Sequence, residues 1–131
     1  MSASRYPFHY DMPKVADRFT NELGIQMSCR ERVERCFKAR IIAVPNGTHI
    51  KSFAGRAKAK AEGLATGFPD CLIIGFGPNA GRTAYPEIKH KKPLSDEQVG
   101  WLTWLHDQGY DAGCFRSQDT LAQFLTDRGW K

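Results

Sequence analysis

The sequence predicts a mixed α/β domain, in which a mixed four-stranded sheet is flanked by helices. Segments with apolar residues at intervals of three and four alternate with short continuous apolar runs, which is the pattern of helices interleaved with strands. Turns that contain glycine or proline separate these segments. Because 131 residues provide one core and no room for a second, we expect residues 1–131 to form one domain, with residues 1–12 as an N-terminal arm.

The first third of the chain predicts two helical segments and a buried strand. Helical spacing begins at Pro13 and includes Phe19 and Leu23, and Gly24 closes or interrupts that segment. A second stripe predicts a helix that extends to about Ala39, and it consists of Ile25, Cys29, Val33, Cys36 and Phe37. Residues 40–44 then predict a buried strand, which stops at the Pro-Asn-Gly turn of residues 45–47.

Residues 52–62 predict a short basic helix, with Ser52 as its N-cap and Gly63 as its terminator. Its positive charge is carried by Lys51, Arg56, Lys58 and Lys60. Such a face is either simply solvated or a surface that contacts phosphates, which supplies affinity without sequence information.

The central stretch predicts a hairpin. Gly67-Phe-Pro-Asp70 leads into the apolar residues 71–74, which resemble a strand covered on both faces, and residues 75–82 form a turn. Residues 83–89 predict the partner strand. Pro86 is unusual there, because proline cannot donate to a ladder and is normally confined to edges or bulges.

The last third predicts a helix, a strand and a final helix. Ser95 and Gln98 have the spacing of a capping box, so a helix is expected to begin there and to end at Gly109. Residues 110–115 predict a short strand, and Ser117 caps a helix whose apolar residues face inward.

Composition restricts the classes of function. The formal net charge of +5 suits a polyanionic partner. The four dispersed cysteines suggest neither a zinc site nor a disulfide framework. No run approaches the roughly 20 apolar residues of a membrane span, and the N-terminus lacks the apolar core of a signal peptide. We therefore expect a soluble cytosolic protein with no membrane partner.

Two carboxylates in the central hairpin predict a metal site. If the strands pair, Asp70 lies beside Glu87, and the backbone carbonyl of Ile88 can add a third oxygen. Because side chains alternate along a strand, Lys89 projects from the same face as Glu87 and is placed to stabilise negative charge. The alternative is that Asp70 caps a turn while Glu87 and Lys89 form an ordinary ion pair.

Three motifs together resemble the virus-type replication-repair nuclease (VRR-NUC) family of the PD-(D/E)XK nuclease superfamily. They are Gly-Phe-Pro-Asp at 67–70, Pro-Glu-Ile-Lys at 86–89 and Leu-Ser-Asp-Glu-Gln at 94–98. The resemblance spans about residues 22–125, and it implies a restriction-endonuclease-like core. Pro86 and Pro93 depart from the family pattern, although neither removes a ligand.

The resemblance implies that Asp70 and Glu87 bind Mg²⁺ or Mn²⁺ and that Lys89 is the catalytic lysine. Gln98 either supports that site or merely completes the capping box with Ser95. The family's further acidic residue on the first helix has three candidates, of which Glu22 is slightly favoured; the rivals are Glu31 and Glu34.

The expected activity is that of an endonuclease that hydrolyses phosphodiester bonds in DNA. The resemblance implies a branched or Holliday-junction-like substrate, a homodimer, and a bacterial or phage-infected host cell. Candidate nucleic-acid contacts are Asn46, Lys51, Arg56, Lys58, Lys60, His90 and Lys91. The alternatives are a non-catalytic nucleic-acid-binding module and a nicking or sequence-specific nuclease of the same fold.

Overall fold

A computed structural model describes residues 5–13, 19–45 and 52–131, and within them a five-stranded sheet is flanked by helices. The strands are β1 (His9–Tyr10), β2 (Ala39–Ala43), β3 (Cys71–Gly75), β4 (Thr83–Ile88) and β5 (Asp111–Phe115). The helices are α1 (Glu22–Cys36), α2 (Phe53–Ala61), α3 (Asp96–Asp107) and α4 (Gln118–Asp127), and a short 3₁₀ turn spans Gly77–Asn79. The mixed α/β architecture predicted from the sequence is confirmed.

The strands follow the spatial order β1-β5-β4-β3-β2. β2, β3 and β4 pair antiparallel in sequence order, whereas β4 pairs parallel with β5 and β5 parallel with β1. The prediction of four strands was therefore one short. Two residues give too little periodicity to indicate a strand, and β1 forms because the packed body provides an edge for it.

Two apolar clusters hold the layers together. Helices α1 and α4 cover one face of the sheet through a cluster that includes Ile25, Val33, Ile88 and Leu125. Helix α3 covers the other face of β4 and β5 through a cluster that includes Leu102, Leu105, Cys114 and Phe8 of the N-terminal segment. The predicted arm is thus packed against the body where the structure describes it.

Three local expectations were wrong. Gly24 lies inside α1, which Asn21 caps by accepting the Gly24 N–H, so this glycine does not end a helix. β2 is an edge strand rather than a buried one, and Ile42 is half exposed. In β3, Ile74 is exposed as well, because no helix covers that part of the sheet among the residues described. Most of the helical segment expected to begin at Pro13 falls on residues 14–18, which lie outside the described residues.

Candidate functional site

Asp70 and Glu87 meet where β3 and β4 pair. Ile73 lies opposite Ala84 and Ile74 opposite Thr83, and this register, continued towards the start of β3, sets Asp70 opposite Glu87. Consistent with that, the Asp70 Oδ2 accepts the backbone N–H of Ile88 at 3.1 Å. The side chain of Asp70 therefore accepts a backbone N–H of β4 in place of a strand carbonyl, at the point where the two carboxyl groups come together.

Pro86 lies in the central strand β4, opposite Gly113 of β5, and not at an edge or a bulge as proline normally does. It has no N–H to donate to β3. The registered pairs of β3 and β4 lie on the turn side of this residue, and the Asp70 carboxylate lies on its other side. Pro86 thus lies between the paired residues of β3 and β4 and the contact of the Asp70 carboxylate with the Ile88 N–H.

Glu87 is buried, with 1% of its surface exposed, and its Oε1 has no hydrogen-bond partner within the described parts of the chain. Burial raises the pKa of this carboxyl to about 10, and the adjacent Asp70 carboxyl and the charge of Glu22 raise it further. Lys89 opposes the rise in pKa. A buried carboxylate of this kind requires either a proton or a cation.

Gln98 completes the capping box and also contacts Glu87. Its Oε1 accepts the Ser95 N–H at 2.8 Å and its own N–H donates to the Ser95 Oγ, which completes the capping box. Its Nε2 then donates to the Glu87 Oε2 at 3.3 Å. Because the capping box engages the amide oxygen, the amide nitrogen faces Glu87.

Gly67 holds the turn that carries Asp70 against α3. Its φ of +83° is unfavourable for residues with a side chain. A Cβ at this position would also lie 2.6 Å from the Glu97 Cβ and 2.9 Å from the Gln98 nitrogen. The first turn of α3 and the Gly-Phe-Pro-Asp turn are therefore in direct contact, and this contact fixes Asp70 relative to Gln98.

The donor set suits a hard divalent cation. The described residues contain no group of three or more His, Cys, Asp or Glu side chains arranged to hold a metal. A pair of carboxylates nevertheless fits Mg²⁺, which usually takes one or two of them together with waters and phosphate oxygens. The bare Oε1 of Glu87 is the atom that a cation would satisfy.

The three acidic candidates on α1 lie in different surroundings. Glu22 is exposed at the start of the helix, and its charge contributes to the raised pKa of Glu87. Glu31 is exposed. Glu34 accepts the Ile41 N–H at 3.1 Å, which gives it a structural role at the edge strand.

The basic candidates form two groups. Lys89 and His90 are half-buried and Lys91 is exposed, all directly after β4. Within the described parts of the chain, no carboxylate lies within ion-pair distance of Lys89, so the predicted alternative of a Glu87–Lys89 ion pair is not found. On α2, Arg56, Lys58 and Lys60 are exposed, and Lys58 lies 3.9 Å from Glu62. Asn46 and Lys51 lie outside the described residues.

The sequence did not reveal the residues that hold the segment after Lys89. The fully buried Arg116 donates through Nη1 to the carbonyl oxygens of His90 and Lys92, and through Nε to that of Asp11. A lone arginine after an apolar strand gave no sequence signal for this role. Trp130, also unexplained by the sequence, is buried in the core and donates to the Asp111 Oδ2.

Comparison with solved structures finds one described as a "VRR_NUC domain protein", with a TM-score of 0.59 and 23% identity over 81% of this chain and 88% of that chain. No family model matches the sequence, and no curated protein matches it. The similarity establishes the fold, which is the one implied by the motifs around Asp70, Glu87 and Gln98. Strand β1 is the difference from the four-stranded sheet expected.

Proposed function

We propose that this protein is a metal-dependent nuclease of the VRR-NUC family that hydrolyses phosphodiester bonds in DNA. The observation that carries the proposal is the pair formed by Asp70 and the buried Glu87, in which one oxygen of Glu87 has no hydrogen-bond partner in the described chain. The fold shared with a VRR_NUC domain protein supports the same conclusion. No helix among the described residues is long and apolar enough to cross a membrane, and we place the activity in the cytoplasm of a bacterial or phage-infected cell.

Asp70 and Glu87, with the backbone carbonyl of Ile88, hold Mg²⁺ or Mn²⁺ in this proposal, and Glu22 is the further acid from α1. When bound, the cation neutralises charge on the phosphate and makes water more acidic. A bound cation would favour the ionised form of Glu87, whose raised pKa arises from burial and from neighbouring negative charge.

Lys89 stabilises the reaction's negative charge in this mechanism. A water oxygen forms a bond to phosphorus, one phosphorus–oxygen ester bond breaks, and the leaving oxygen takes up a proton. The Lys89 ammonium faces the charge that develops on the phosphate. Gln98 acts as a positioning residue, because its amide holds the Glu87 Oε2 without touching the substrate.

Branched or otherwise structured DNA is the substrate that we propose, with two copies of the chain acting as a homodimer on two strands. The basic residues after β4 and along α2 contact the phosphate backbone in this arrangement, namely Arg56, Lys58, Lys60, His90 and Lys91, together with Asn46 and Lys51. Such contacts give affinity that falls steeply as salt is raised.

The decisive experiment incubates the purified protein with labelled four-way junction, duplex and single-stranded DNA in Mg²⁺, Mn²⁺ or EDTA. Cleavage is expected in either metal, to be absent in EDTA, and to be lost in both Asp70→Ala and Lys89→Ala. Preferential cleavage of the junction supports the proposed substrate class. Tight binding without cleavage in either metal would overturn the proposal in favour of a non-catalytic binding module.

A further inference from the structure

A groove on the outer side of α3 includes Glu97, the residue that precedes Gln98. It encloses about 390 Å³ and is lined by Thr66, Glu97, Gly100, Trp101 and Trp104. Half of the Trp104 surface is exposed, and a Cβ at Gly100 would meet no atom within 4 Å, so the groove is open along this side of the helix. No step of the proposed hydrolysis uses these residues.

A chain of aromatic rings connects the groove to the carboxylates. Trp104 packs edge-to-face on Trp101 at 6.0 Å, and Trp101 on Phe68 at 5.0 Å. Phe68 in turn packs on Tyr85 at 5.9 Å. Phe68 precedes Asp70 by two residues and Tyr85 precedes Glu87 by two, so the rings packed behind Trp101 belong to the same turn and strand as the candidate ligands.

The chemistry of the groove favours a neutral aromatic guest over a phosphate. Two indole rings provide stacking surface, and 390 Å³ falls within the usual range for small-ligand sites. Among the lining residues that the structure describes, the one that carries charge is Glu97, which repels phosphate but accepts a hydrogen bond from an exocyclic amino group. The cationic candidates lie outside the lining, on α2 and on the segment that follows Glu87.

We propose that the groove binds an unpaired nucleobase of the substrate strand by stacking on Trp104, with Glu97 favouring bases that carry an exocyclic amino group. This inference rests on the proposed nuclease function and deepens it, because it selects DNA with unpaired nucleotides beside the cleaved bond. Base-paired duplex keeps its bases stacked within the helix and does not fill the groove. Stacking of this kind is tolerant of sequence.

Binding measurements in EDTA test the inference without cleavage. Fluorescein-labelled duplexes carry a two-nucleotide bulge of adenines, of thymines or of abasic residues, and fluorescence anisotropy gives the Kd of each. The wild type is expected to bind the adenine bulge about 5- to 150-fold more tightly than the abasic bulge, which corresponds to stacking of one base. Trp104→Ala should abolish that difference, and Trp104→Phe should retain most of it.

Phe76→Ala is the matched control, since Phe76 is a similarly exposed aromatic residue at the far end of β3 from Asp70. It should leave the base dependence unchanged. Glu97→Gln should reduce the preference for adenine over thymine while retaining the preference for thymine over abasic residues. Equal binding of base-containing and abasic bulges by the wild type would overturn the inference, even if the protein cleaves DNA.

A change in oligomeric state would also overturn it. If Trp104→Ala converts a dimer into a monomer in sedimentation velocity while Phe76→Ala does not, the groove is a contact between copies of the chain. Conversely, base-dependent binding by a protein that cleaves no DNA would reject the nuclease proposal alone.

Discussion

Two buried carboxylates on opposite sides of strand β5 have contrasting surroundings. Asp11, which follows β1, is 6% exposed and both of its oxygens are engaged. Its Oδ1 lies 2.7 Å from the His9 Nε2, and its Oδ2 accepts from the Arg116 N–H and the Thr120 hydroxyl. Glu87 in β4 is 1% exposed, yet its Oε1 has no partner in the described chain.

The contrast separates a structural acid from a candidate functional one. Burying a carboxylate is costly unless hydrogen bonds or opposite charges compensate it, and at Asp11 the fold supplies that compensation. At Glu87 the fold supplies one hydrogen bond of 3.3 Å from the Gln98 amide and places the Asp70 carboxyl group nearby. The pKa of Glu87 is therefore raised, chiefly by burial. A bound cation would compensate the buried negative charge of Glu87.

Replacing each acid by its amide gives the largest expected effect. Glu87→Gln should reduce DNA cleavage by at least about 10²- to 10³-fold, because the amide cannot neutralise a cation that stabilises the transition state. Asp11→Asn should leave the cleavage rate of the folded protein nearly unchanged, as measured in single-turnover assays. Equal losses of DNA cleavage in both variants would mean that Asp11 and Glu87 do not differ in function.

Replacement of Arg116 tests the cluster around the structural acid, which consists of Asp11, Arg116 and Thr120. Arg116→Met removes the side-chain donors to the carbonyl oxygens of Asp11, His90 and Lys92, and should lower the free energy of unfolding by about 3 kcal/mol. Urea denaturation provides the measurement. Arg35→Met, at an exposed position of α1, should change stability by less than about 0.5 kcal/mol.

Two variants of the capping box separate its effect on Glu87 from its effect on the stability of α3. Gln98→Ala removes the donor to Glu87 and should weaken Mn²⁺ binding and cleavage about 10- to 100-fold. Ser95→Ala removes the hydroxyl cap but keeps the Gln98 amide engaged by the Ser95 N–H, so it should cost about 1 kcal/mol of stability with little effect on Mn²⁺ affinity. Calorimetric titration of Mn²⁺ distinguishes the two, and an unchanged affinity in Gln98→Ala would assign Gln98 a capping role alone.

Stability against pH provides the smallest expected effect. With a pKa of about 10 in the folded state and an ordinary value of 4.5, Glu87 keeps its proton in the fold over a range in which the unfolded chain has lost it. The free energy of unfolding of the metal-free protein therefore falls as pH rises from about 4.5 towards 10. Glu87→Gln should be more stable than the wild type at pH 8 in EDTA, by about 1–2 kcal/mol.

The same gain should disappear near pH 4, where Glu87 is protonated in both states. Thermal unfolding at the two pH values checks the sign. A stabilisation that persists unchanged at pH 4 would show that the amide acts through packing rather than through the missing charge.

The sequence predicted the order of the main helices and strands because each carries a local signal of period, cap or turn. It also brought Asp70 and Glu87 together, since a hairpin fixes its own register. It did not predict β1, whose two residues gain their structure from pairing with β5. Nor did it predict that Arg116 holds the segment after Lys89, because those contacts join residues that are distant in the chain and leave no periodic trace.

The contact of Gly67 with Glu97 and Gln98 has a mechanical consequence. The turn that presents Asp70 and the helix that presents the Gln98 amide abut without an intervening side chain, so neither can shift without the other. A substitution anywhere along α3 that tilts the helix will therefore be transmitted to the carboxylate pair. Sequence change in this helix is constrained by its effect on the geometry of the site as much as by its own packing.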